Sequence, residues 1–69
     1  MNLKRELTRP ECDHYRRECN FTDDERAVFD LRVTGRSIVT ISLALNMSET
    51  TVNRRLRDIK RKIEKVTGN

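Results

Sequence analysis

A chain of 69 residues, 38% charged and 35% apolar, has room for one small domain with a thin core, which excludes a two-domain enzyme and a deep, walled catalytic cleft. Fifteen Lys and Arg against eleven Asp and Glu leave a net charge of +4, which favours an anionic partner. Residues 1–47 hold eight basic and eight acidic side chains, whereas residues 48–69 hold seven and three, so the whole excess lies in the last third.

In chain order, the first segment is residues 1–20. Pro10 suits the first turn of a helix, and Cys12, Tyr15 and Cys19 recur at i, i+3 and i+7. A helix from about Pro10 to Cys19 would carry one weakly apolar stripe, with residues 1–9 as its extension or as an arm. Thr22 followed by Glu25 forms a capping box, so a second helix begins at Asp23, with Val28, Phe29 and Leu31 facing inward. Asp23, Asp24 and Glu25 complement the positive end of its dipole, and Gly35 ends it by taking the left-handed conformation.

Ser37 caps a third, short helix in which Ile38, Ile41 and Leu45 recur at three- and four-residue spacing. The chain then turns at Asn46-Met47-Ser48, since Asn tolerates a left-handed turn and Ser48 is a strong N-cap. A long helix over about residues 49–66 follows. Its apolar residues Val52, Leu56, Ile59, Ile63 and Val66 are spaced 4, 3, 4 and 3 and draw one narrow seam. Val52 and Leu56 cover the core of the domain. Ile59, Ile63 and Val66 run past the short helix and need a cover, either residues 1–20 or a second subunit. The segment around Cys12, Tyr15 and Cys19 is expected to pack there as a helix, with a homodimer left open.

The expected fold is therefore all-α: a three-helix helix-turn-helix core over residues 21–69, with an additional N-terminal helix or arm over residues 1–20 packing on it. A short helix, a three-residue turn and a long basic helix are the outline of that motif, whose second helix enters the major groove of double-stranded DNA. With Val52 and Leu56 facing inward, Asn53, Arg54 and Arg57 point outward on the early turns. Arg can fork onto guanine O6 and N7, and Asn can pair with adenine N6 and N7, so these three are the candidate base-reading residues. Ser48, Thr50 and Thr51 at the helix entrance, with Arg55 and Arg61 further along, are the candidate contacts to the DNA backbone. Lys60, Lys62 and Lys65 add charge that steers toward phosphate.

The run from Phe21 to Leu31 (FTDDERAVFDL), followed by Gly35, Ser37, Ile41, Leu45, Ser48, Thr51-Val52, Ile59, Lys62 and Ile63, resembles the LuxR/GerE-type DNA-binding domain. The resemblance covers Phe21 to about Val66. It implies a sequence-specific, double-stranded-DNA-binding transcriptional regulator of bacterial or phage type. In that family the counterparts of Asn53, Arg54 and Arg57 commonly approach bases, and those of Ser48 and Thr51 commonly touch phosphate. The chain departs from the pattern at Ser42, Asn46, Asn53 and Arg55, where Ala, Gly, Lys and His are usual, so no operator sequence carries over. Sigma factor region 4 is similar as well, above all at Arg55-Leu56, and implies the alternative: a protein acting through contact with RNA polymerase.

Other chemistries fit less well. Cys12, His14 and Cys19 offer three ligands in a C-x-H-x4-C spacing that matches no common zinc pattern, so packing explains them better and no metal is expected. Seven helical residues separate the two thiols by ~10 Å of rise, beyond the reach of a disulfide. Cys12 and His14, two apart on a helix, face different sides and make no nucleophile and base; neither an enzyme activity nor a cofactor is expected. No stretch approaches the ~20 apolar residues of a membrane span, and the opening residues lack the apolar run of a signal peptide. The expectation is a cytoplasmic protein with no membrane partner.

Overall fold

A computed structural model of the chain describes residues 7–68, which form four helices: α1 (Arg9–Glu18), α2 (Asp23–Val33), α3 (Ile38–Leu45) and α4 (Glu49–Thr67). No strand is present among the described residues. Each helix starts on a hydroxyl cap. The Thr22 hydroxyl accepts from the Glu25 amide while the Glu25 carboxylate accepts from the Thr22 amide, and α2 begins at Asp23 as the capping box predicts. The Ser37 and Ser48 hydroxyls accept from the amides of Thr40 and Thr51 in the same way. Thr8 and Glu11 form a second complete capping box, which starts α1 at Arg9 rather than Pro10. The expectation of an extension or arm concerns residues 1–9, and its part over residues 1–6 lies outside the described residues.

The turns are as local as the caps. Asn46 takes the left-handed conformation at φ 55°, and the Asn46 and Met47 amides both donate to the Ser42 carbonyl, which closes α3. Gly35 has φ 92° directly after the last turn of α2, where a side chain on the α-carbon would be strained. Chain reversals at both positions let α2, α3 and α4 pack on one another.

Eleven buried residues make one cluster: Cys12, Tyr15, Cys19, Phe21, Val28, Phe29, Ile41, Val52, Leu56, Ile59 and Ile63. At the centre, Phe29 is fully buried with its ring centroid 5.1 Å from that of Phe21. Each fully buried aliphatic side chain contributes about 1.5–3 kcal/mol, so in a chain this small few can be lost. The seam of α4 divides as its length requires. Val52, Leu56, Ile59 and Ile63 are buried, whereas Val66, one turn further, is 37% exposed. Cys12 and Tyr15 of α1 and its C-cap residue Cys19 join the same cluster, and α1 packs against α4, so Ile59 and Ile63 are covered within the chain. Cys12 and Cys19 are free thiols, and burial raises the pKa of both.

Polar contacts fix how the helices meet. Arg16 of α1 donates from Nε to Asp30 of α2 at 2.9 Å, with its Nη2 2.8 Å from the same carboxylate oxygen, and from Nη1 to Asp13 at 2.8 Å. Lys62 of α4 points inward: its ammonium donates to the buried Glu25 carboxylate and, at 2.8 Å, to the Asn20 carbonyl. Thus the carboxylate that caps α2 also anchors α4. Burial alone would raise the Glu25 pKa, but the hydrogen bonds and charge of Lys62 and the Thr22 amide outweigh it, and the net shift is downward from 4.5.

That sign has a measurable consequence. A carboxylate with a depressed folded-state pKa contributes stability above its ordinary value and loses it as pH falls through the folded value. Lys62→Met should therefore cost about 1–3 kcal/mol near neutral pH, where it leaves a buried carboxylate without its cation. The gap between variant and wild type should narrow from neutral pH to acid, as pH falls through the depressed folded-state value and Glu25 protonates. Urea melts at neutral and acid pH measure this, and an equal gap at both would refute the linkage.

Candidate nucleic-acid interface

At 19 residues, α4 is about 28 Å long and runs nearly the full 32 Å length of the molecule. At 100° per residue its core seam is centred on Val52, Leu56, Ile59 and Ile63. Thr50, Arg54, Arg57, Arg61 and Lys65 then align on the opposite side at spacings of 4, 3, 4 and 4, and all five are exposed. Asn53 is exposed on the margin of this stripe beside Arg57. The three candidate base-reading residues thus share one open face with Thr50 and Arg61 from the backbone set. Among the described residues the one ion pair along the stripe is Arg61 to Asp58, at 3.9 Å between partly solvated groups, which is too weak to withdraw the guanidinium.

The remaining backbone candidates lie off this stripe. The Ser48 hydroxyl is committed to its cap: it accepts from the Thr51 amide at 3.1 Å and donates to Thr51 Oγ1 at 2.9 Å. Thr51 is half-buried. Arg55 lies on the flank facing α2, with Nη2 3.8 Å from Asp24, and its Nε is buried without a hydrogen-bond partner among the described residues. Lys62, expected to steer phosphate, is held by Glu25 and Asn20 instead.

This division follows from position on the helix. Residues 55 and 62 are seven apart and so share a flank, the one that meets the acidic first turn of α2. Their partners lie 31 and 37 residues away in sequence, so helical periodicity could mark the flank but not the contact. Lys65, by contrast, belongs with the exposed stripe, as its spacing from Arg54, Arg57 and Arg61 already indicates.

No protein-family model, curated protein or solved structure matches the chain. The residues themselves carry the functional reading. Five cationic side chains remain open on α4, namely Arg54, Arg57, Lys60, Arg61 and Lys65, with Lys60 half-buried. Their arrangement can bind a polyanion along a line, and the planar guanidinium and amide groups near the start of the helix can form paired hydrogen bonds. Among the described residues no group of His, Cys, Asp and Glu is positioned to hold a metal ion, and no helix is long and apolar enough to cross a membrane.

Proposed function

We propose that this chain is a sequence-specific double-stranded-DNA-binding regulator of transcription, in which α3, the turn at residues 46–48 and α4 act as a helix-turn-helix. The observation that carries the reading is the exposed stripe Arg54, Arg57, Arg61 and Lys65 on the face of α4 opposite the core. A helix of 10–12 Å diameter matches the ~12 Å width of the major groove. Asn53, Arg54 and Arg57 then meet base edges, while Thr50, Arg61 and Lys65 meet phosphates on either side. The packing of α2 and α3 behind α4 supports this, because a recognition helix must be held by its apolar face with the polar face free.

Salt dependence and sequence selection test the two halves of the reading. Of the seven basic residues from Arg54 to Lys65, Arg55 and Lys62 are engaged within the chain, which leaves five for phosphate and base contacts. With Arg54 and Arg57 assigned to bases, Lys60, Arg61 and Lys65 remain for phosphate, so the slope of log affinity against log salt on a duplex should be about −3, and a slope near zero would remove the electrostatic basis. Selection from a random duplex pool should enrich a defined motif. Uniform recovery of the pool would refute sequence-specific reading.

A further inference from the structure

We propose that Asp58 is a further specificity-determining residue of the α4 face, one that accepts a hydrogen bond from the amino group of a cytosine in the major groove. The inference rests on the DNA-binding reading and adds to it the base that a carboxylate selects. Arg54 and Arg57 stand about 60° apart around α4, with Asn53 about 40° outside Arg57 and Asp58 about 40° outside Arg54. Along the axis, Asn53 immediately precedes Arg54 and Asp58 immediately follows Arg57. The two short side chains thus flank the two long ones symmetrically.

Among the three acidic residues of α4, position singles out Asp58. Glu49 lies about 7 Å of rise before Arg54, and Glu64 lies about 10 Å beyond Arg57. The neighbours of Asp58 one turn to either side are Arg54, Arg55, Arg61 and Lys62, all basic, which offsets the repulsion between a carboxylate and DNA. Yet Asp58 accepts no hydrogen bond among the described residues. Its ion pair with Arg61 spans 3.9 Å, while Arg55 and Lys62 are turned to Asp24 and Glu25. With its side chain 34% exposed, the carboxylate has oxygens left to accept from a partner.

A carboxylate only accepts, and that fixes the base. In the major groove guanine shows N7 and O6 and thymine shows O4, all acceptors that repel it. Adenine sets an acceptor, N7, beside its amino group, whereas cytosine offers the N4 amino group alone. Set against guanine or thymine, the carboxylate is dehydrated without gaining a donor, so the wrong base is penalised as well as the right one favoured.

The test is selection from a random duplex pool with the wild-type chain, Asp58→Ala and Asp58→Asn, each variant checked for an unchanged thermal melt. The wild-type motif should contain a cytosine whose preference Asp58→Ala abolishes while the positions that depend on Arg54 and Arg57 persist. Asp58→Asn should shift that position toward adenine, which pairs with an amide. Affinities are then compared on two duplexes that differ only there, C·G against G·C, so the uniform gain from removing a negative charge cancels in the ratio. That ratio should be about 5- to 150-fold for the wild type and near one for Asp58→Ala. A motif and ratio unchanged in Asp58→Ala overturn the proposal. Loss of preference at every position also overturns it, since Asp58 would then act on the helix as a whole. Uniform recovery of the pool by the wild type refutes the DNA-binding reading itself, whereas a defined wild-type motif that survives in Asp58→Ala removes the role of Asp58 alone.

Discussion

Alanine at both Arg54 and Arg57 is expected to erase sequence preference on a duplex recovered by selection. Each guanidinium is exposed on the first turns of α4 and has no ion pair or hydrogen bond among the described residues, so in the proposed complex it is free to meet a base edge. A paired hydrogen bond to guanine discriminates by about 1–3 kcal/mol, so each single variant should bind the selected duplex about 5- to 150-fold more weakly and relax preference at particular base pairs. The two residues are three apart on one helix and share a stripe, so their effects need not add fully. Lys65→Ala provides the contrast. It should weaken binding to selected and random duplexes alike and make the salt slope shallower by about 1, because a phosphate contact carries charge and no base information. Equilibrium binding of the three variants to both duplexes decides the matter. If Arg54→Ala and Arg57→Ala keep wild-type affinity on the selected duplex, or lose it equally on both, they are not base readers.

Phe29→Ala should leave the chain largely unfolded at room temperature. Phe29 is completely buried in the core cluster, with its ring tilted 41° against that of Phe21. Removing a buried aromatic ring costs about 3–5 kcal/mol, the sum of lost transfer energy and the cavity left behind. A single core in a chain below about 70–80 residues rarely supplies more than that in total. Phe29→Leu, which retains most of the volume, should cost much less and keep a cooperative melt. Far-UV circular dichroism with thermal melting reads both outcomes. A Phe29→Ala melt within a few degrees of wild type would show that the core is not organised around this ring.

Much of this architecture is decided over distances of three or four residues, and to that extent the sequence is readable. The Thr22–Glu25 box, the Ser37 and Ser48 caps and the left-handed turns at Gly35 and Asn46 each involve hydrogen bonds or dihedral preferences within one turn, and each stands where the residue types indicate. The seam of α4 and the outward position of Asn53, Arg54, Arg57 and Arg61 follow from the period of the helix alone. The Thr8–Glu11 box that starts α1 is a local signal of the same kind.

Contacts between helices are another matter. Four helices with amphipathic faces can be rotated and slid against each other without violating any local rule, and the choice is made by packing and by ion pairs between residues far apart in the chain. Tertiary structure alone turned Lys62 inward to Glu25 and Asn20, set Arg55 against Asp24, and closed the far seam with α1 while leaving Val39 and Leu43 in water. In this protein the sequence by itself determined the helices, their ends and the basic face of α4. Which cations stayed free, and which apolar residues stayed uncovered, was decided only when helices 30 or more residues apart came into contact, because periodicity places a side chain on a face but cannot say what that face will meet.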